Sequence, residues 1–270
     1  MTSDRPRVLA IDWSGAASGA RKKIVLAEAD GGRLVGLPED GRTREGIADH
    51  VITLANKEPH LVVGLDFAFS LPAWFLQERR LGSGPDLWAL AAADGEMWLA
   101  DCKPPFWGRP GKTKPDLPAH FRDTEREAAE VVQAQPKSVF QIHGAGTVGT
   151  GSIRGMPVLK RLQEAGFSIW PFDPPNWPLV IEIWPRAFYQ RKVKKSAKQE
   201  REAYLRSEYP VLGGEQFSRC AATDDAFDAA VSALVMSERV DELTGLPLVS
   251  DRTVLLEGVI WYPGWADQRT

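Results

Sequence analysis

Three apolar runs in this chain end on a carboxylate. Val8-Leu9-Ala10-Ile11 stops at Asp12 and breaks into Trp13-Ser14-Gly15; Leu61-Val62-Val63-Gly64-Leu65 stops at Asp66; Leu179-Val180-Ile181 stops at Glu182. A short apolar run bounded by turn residues reads as a buried strand. An ionisable group at its last position is therefore the anomaly a fold must accommodate. A fourth acidic group, Asp224, Asp225 and Asp228, opens an Ala-rich helix capped by Thr223. Acids in a first turn complement the helix dipole, which accounts for Asp224 and Asp225. Asp228 lies beyond the capping positions, on the face of Asp225, among alanines that let a helix sit close to a sheet.

The segments between these acids imply how they meet. Residues 23–27 and 33–37, joined across Gly31-Gly32, read as the second and third strands of an antiparallel meander. Thr43 caps a helix running to about Lys57, with Ile47, Val51, Leu54 and Ala55 on its apolar face. A strand, a helix and a further strand imply a right-handed crossover to a parallel neighbour. Parallel neighbours put their C-terminal ends at one sheet edge, ~4.8 Å apart, which brings Asp12 to Asp66.

Taken singly, each acid has a plainer explanation; Asp12 before Ser-Gly can make an Asx-turn. Together they do not. Two carboxylates ~4 Å apart repel by about 4 kcal/mol at an effective dielectric of 20. Three or four converging acids would protonate or splay apart without cations. Oxygen-only ligand sets suit Mg²⁺ or Mn²⁺. Two such ions ~3.5–4 Å apart activate water and stabilise the leaving oxygen in phosphodiester hydrolysis.

Composition removes several other classes. With 43% apolar and 26% charged residues, the chain has the make-up of an ordinary soluble globular protein, and 270 residues can bury a substantial core. No apolar run approaches the ~20 residues of a membrane span, and no signal-peptide pattern opens the chain, so a cytoplasmic location is expected. Two distant cysteines, Cys102 and Cys220, and four scattered histidines argue against disulfides and against thiolate or HExxH zinc sites. A formal charge of −3 gives no overall attraction to nucleic acid, so a polyanion would need local cations or bound metal.

Candidate substrate contacts lie in three places. Residues 72–138 form an irregular insertion, with a helix over 86–93 and a basic, aromatic Pro/Gly loop from Lys103 to Lys114. That loop is either an Ω-loop stapled by its aromatics or a substrate lip in which Lys112 and Lys114 hold phosphates and aromatics stack bases. A charged helix over 118–135 carries Arg122. After a strand over 138–142, Gly144, Gly146 and Gly149 satisfy GxGxxG, and Asp173 ends a later strand over 167–172 where a ribose-binding acid would lie. Gly151, Gly155 and Pro157 count against a helix beginning within the glycines. A helix from Met156-Pro157 is expected instead, with Gly146, Gly149 and Arg154 in a preceding loop that either holds an anion by its backbone N–H groups or is structural. Third, a basic stretch beginning at Arg186 starts at the sheet edge of Glu182 and can place cations beside the acids. A strand over 253–261 closes the chain.

The order of elements resembles the ribonuclease H-like fold. More closely, "VLAIDWSGA", "VVGLDFAFSLP", "FRDTERE", "VIEIWPRAFY" and "DDAFDAAVSAL" resemble an uncharacterised family known as domain of unknown function 429, predicted to be ribonuclease H-like nucleases. The resemblance implies metal ligation by Asp12, Asp66 or Glu182, and Asp225 or Asp228. The expectation is one α/β domain over 1–270: a mixed sheet of a three-strand antiparallel meander plus parallel strands, with flanking helices. Its expected activity is divalent-metal-dependent hydrolysis of nucleic acid, or of a phosphorylated small molecule, by Asp12, Asp66, Glu182 and Asp228 with Asp225 assisting. The rivals are an ATP-dependent phosphotransferase of the actin-like class, a non-catalytic nucleic-acid-binding module and a dinucleotide-binding domain.

Overall fold

Strand β1 (Arg7–Asp12) lies in the interior of the sheet and is buried from its second residue onward. The computed structural model describes residues 5–144 and 147–269, with only the backbone at 268 and 269. β2 (Val25–Asp30) returns antiparallel to β1, with Asp12 opposite Val25, and β3 (Arg33–Leu34) pairs with β2. The meander forms as expected, with a much shorter third strand. Helix α1 (Arg44–Ala55) begins where Thr43 accepts a hydrogen bond from the Gly46 N–H. It leads into β4 (Leu61–Leu65), parallel to β1 with Ile11 opposite Leu65.

Four helices follow: α2 (Ala73–Glu78), α3 (Gly84–Asp101), α4 (Asp123–Val132) and α5 (Gly149–Glu164). Then come β5 (Ser168–Ile169) and β6 (Leu179–Ile183). The last third holds α6 (Lys198–Glu208), α7 (Gly214–Cys220), α8 (Asp224–Glu238), α9 (Val240–Thr244), α10 (Arg252–Glu257) and β7 (Ile260–Trp261). The strand order is β3-β2-β1-β4-β6-β5, with β7 added to β6 beyond β5; every pair from β1–β4 onward is parallel. The molecule is thus α/β, with a mixed sheet and flanking helices.

Alternation along the strands sorts side chains to two faces. Val8, Ala10, Val62 and Ile181 pack with α8 on one face; Leu9, Ile11, Val63 and Val180 pack with α1, α3 and α5 on the other. Every residue of α8 from Ala226 to Ser237 is buried, as a helix apolar on all sides requires. Gly64 in β4 lets it come close: a Cβ there would meet the Met236 Sδ at 2.7 Å.

The insertion belongs to the second face. Trp88 of α3 is fully buried and donates its indole N–H to the Phe69 carbonyl at 2.7 Å. The Pro/Gly loop is stapled by its aromatics: Phe106 is buried, stacks on Trp98 with centroids 5.7 Å apart and meets Phe75 and Phe140 edge-on. Residues 138–142 form a turn with one bridge, Trp107 to Gln141, where a strand was expected. Residues 253–261 divide into α10 and the two residues of β7, because Asp251 caps a helical turn.

Candidate functional site

Asp12 and Asp66 end adjacent parallel strands, one residue beyond the Ile11–Leu65 pair, and the Asp66 N–H donates to the Ile11 carbonyl at 3.1 Å. Asp12 points to the α8 face, as Val8 and Ala10 do. There α8 supplies Asp228, 0% exposed in a stretch with no other acid, and Asp225 sits half-buried one turn earlier. The structure therefore brings Asp12, Asp66, Asp225 and Asp228 within electrostatic reach of one another.

Burial, and then the charges of Asp228, Asp66 and Asp225, holds the Asp12 carboxyl well above the usual carboxylate range. Burial followed by Asp228 pushes Asp66 up to about 8. Burial and then Asp224 raise Asp225. No hydrogen-bond donor among the described residues reaches the carboxylate of Asp12, nine-tenths buried, or that of Asp66.

Asp228 is different. The Tyr189 hydroxyl donates to its Oδ1 and the Lys195 ammonium to its Oδ2. Burial works against the charge on Lys195, but Asp228 outweighs it and the ammonium is held above its ordinary range. Both partners come from residues 189–197, where the basic stretch is irregular; a short 3₁₀ turn (Pro185–Phe188) precedes it and α6 follows.

Glu182 is a correction to the expected ligand set. Its register partner is Leu65, not Asp66, so alternation turns it to the opposite face of the sheet. There Arg122 holds both of its oxygens, Nη2 to Oε1 at 2.5 Å and Nη1 to Oε2 at 2.8 Å, and the Phe69 N–H adds 2.8 Å to Oε2. Arg122 is corrected with it. It is 0% exposed, binds Glu125 as well, and donates to the Glu257 carbonyl at 2.9 Å, so it is an internal clamp. Burial pushes Glu125 up to about 7, although Arg122 pulls the other way.

A cavity of about 500 Å³ opens between these two charge groups. Asp66, Asp228, Lys195, Tyr189 and Arg186 line it, with Glu182 and Arg122 also in its wall and Trp13, Phe67 and Trp184 as apolar surface. The remaining expected contacts are dispersed. Lys112 and Lys114 are exposed on the Pro/Gly loop and do not line the cavity. Arg154 is bound to Glu96 at 2.6 Å and to the Gly15 carbonyl at 2.5 Å. Gly146 lies outside the described residues.

The glycine-rich stretch is the second correction. Helix α5 starts at Gly149, seven residues before the expected Met156, and contains Pro157. Contacts require its glycines: a Cβ on Gly149 would stand 2.2 Å from the Val139 carbonyl oxygen, and one on Gly155 2.4 Å from the Phe67 ring. Thr147, Val148 and Gly151 at the start of this helix line the same cavity. Asp173 caps a turn, accepting from the Ile169 N–H at 2.9 Å and from Gln163, and is not a ribose contact.

Lys195 and Tyr189 are the participants that sequence reasoning missed. Each stands more than thirty residues from Asp228, and only the mixed aromatic and basic pattern after Glu182 marked their neighbourhood. Among the described residues, no three His, Cys, Asp or Glu side chains are grouped tightly enough in this arrangement to hold a metal ion. In kind the donors suit one: all are carboxylates, Asp12 and Asp66 have open lone pairs, and the third acid already holds a cation, the ammonium of Lys195. Among the described residues no helix is long and apolar enough to cross a membrane. Compared with known proteins, the chain matches no family model, no curated protein and no solved structure.

Proposed function

We propose that the protein is a divalent-metal-dependent hydrolase of phosphodiester bonds in nucleic acid, built on a ribonuclease H-like arrangement of strands. The observation that carries this reading is the pair Asp12 and Asp66, side by side at a sheet edge, facing Asp228 and lacking any hydrogen-bond donor among the described residues. Carboxylates crowded together without donors repel one another unless protonated or neutralised by a cation. Asp12, Asp66 and Asp228, with Asp225 at the margin, would hold Mg²⁺ or Mn²⁺. Such ions supply an activated water and charge stabilisation at the leaving oxygen.

The chain's own groups supply the rest. Arg186 lines the cavity and attracts a phosphate; Trp13, Phe67 and Trp184 offer apolar surface to a base or sugar. Glu182 and Arg122 form the wall and keep their charges internal. Asp12→Asn is expected to abolish Mn²⁺-dependent cleavage of single- or double-stranded oligonucleotides, with circular dichroism and melting temperature showing a folded protein. Cleavage retained by that variant would remove Asp12 from the chemistry.

One observation favours a second reading, an ATP-dependent phosphotransferase: the N-terminus of α5, rich in glycine, opens onto the same cavity. Helix N-termini suit phosphate groups. Metal-dependent binding of ATP without cleavage of any polynucleotide would select it.

A further inference from the structure

The acidic group already contains one cation, and it is covalently part of the chain. We infer that Lys195 is a resident counter-ion of the metal site, which a divalent ion must displace from Asp228 before it can bind; this rests on the reading above that Asp12, Asp66 and Asp228 hold metal.

Three observations carry it. The first is that the Lys195 ammonium bonds Asp228 and is felt by Asp12 and Asp66, so it sits where positive charge is required. The second is a division within the residue. Its backbone is pinned: the buried Arg201 donates to the Lys195 carbonyl and also to the carbonyls of Ala221 and Ala222 at 2.9 and 3.1 Å, tying it to the start of α8. Next to it, Val193 is buried, and the Gln190 N–H donates to the Tyr204 hydroxyl at 3.0 Å. The side chain is not pinned in this way: 46% of it is exposed, whereas its partner Asp228 is 1% exposed. An ammonium on a four-carbon stem can leave toward solvent without moving the backbone. The third is that Asp12, nine-tenths buried, has no donor of its own. One lysine bonded to one of these acids leaves room for a further cation.

An ion pair of this kind can have either of two roles. A purely structural pair stabilises the fold and has no bearing on metal. A counter-ion competes: with the Lys195 ammonium on Asp228, only Asp12 and Asp66 of the three acids are open.

The test measures Mn²⁺ affinity of the full chain by isothermal titration calorimetry, with electron paramagnetic resonance of bound Mn²⁺ as an independent readout. Lys195→Met keeps the stem and removes the charge. It is expected to bind Mn²⁺ about tenfold more tightly than wild type, the scale of one competing charge at intermediate dielectric. Lys195→Arg keeps the charge and is expected to bind as weakly as wild type or more weakly. If Lys195→Met is less stable without metal, the rise in its melting temperature on adding Mn²⁺ should still exceed that of wild type. Equal or weaker Mn²⁺ binding by Lys195→Met, with wild type binding the ion, overturns the counter-ion role and leaves the metal site standing. Absence of Mn²⁺ binding in both proteins overturns the metal reading and this inference with it.

Discussion

Arg122 carries two carboxylates on one guanidinium inside the protein, with no exposure of its own. Its charge is held above the ordinary range: burial opposes it, but Glu182 and Glu125 prevail. Removing one member of a buried ion pair leaves the other charge without compensation, at a cost of about 3–5 kcal/mol. Arg122→Met should therefore lower the unfolding free energy by an amount of that order in urea denaturation. A change below about 1 kcal/mol, the scale of an exposed pair, would show that the clamp contributes little. In the sequence, Arg122 stands in a charged helical stretch and reads as a candidate for substrate. Glu182, sixty residues away, gives no sign of being its partner. Asp12 and Asp66 are legible because a periodic apolar run points directly at them. Ion pairs between distant segments leave no such local mark.

At the scale of elements, α5 shows where local propensity misleads. Glycines and a proline argue for a late helix start, at ~1 and ~3 kcal/mol each. Packing overrides them, because only residues without a Cβ let the first turns of α5 lie against neighbouring backbone. One such contact is shared with the site. A Cβ on Gly15, in the turn that follows Asp12, would stand 2.3 Å from the Gly151 N. Backbone cannot yield as a side-chain tip can. Gly15→Ala is accordingly expected to cost about 1–3 kcal/mol, read as a shift in denaturation midpoint. Since Gly15 O also receives Arg154, the same change should weaken Mn²⁺ binding at Asp12. An unchanged midpoint and affinity would mean that the turn relaxes freely. Helix α8, by contrast, was legible in full, from its Thr223 cap to its buried alanines, since cap, periodicity and packing agree there.

For the molecule as a whole, the acidic group ties stability to pH. Without metal, the Asp66 carboxyl is pushed up to about 8 by burial and by Asp228, so the folded chain retains a proton that the unfolded chain releases near pH 4. Stability then falls as pH rises between those values and levels off above about pH 8. In EDTA, melting temperature should decline across this window. Asp66→Asn should flatten the decline, and Mn²⁺ should oppose it at the alkaline end. A wild-type melting curve independent of pH from 5 to 8 would show that this carboxyl is not raised. The mixed sheet, its meander and the parallel pairing of the first and fourth strands were all legible, because strand periodicity and short turns are encoded locally. The short edge strands β5 and β7 were legible only in outline: the strands expected over 167–172 and 253–261 shrink to two residues each, since a turn follows the first and a capped helix takes most of the second.

The pleat of the sheet also works as a partition. Asp12 and Glu182 each close an apolar strand run in the sequence, yet a single register step sends them to opposite sides of the sheet. On one side Glu182 has an internal cation in Arg122. The other lacks enough positive charge of its own and is open to what solution provides. A slip of one residue between β4 and β6 would turn Glu182 toward Asp12 and Asp66 and leave Arg122 without it, so the fidelity of strand pairing decides how charge is divided across the sheet.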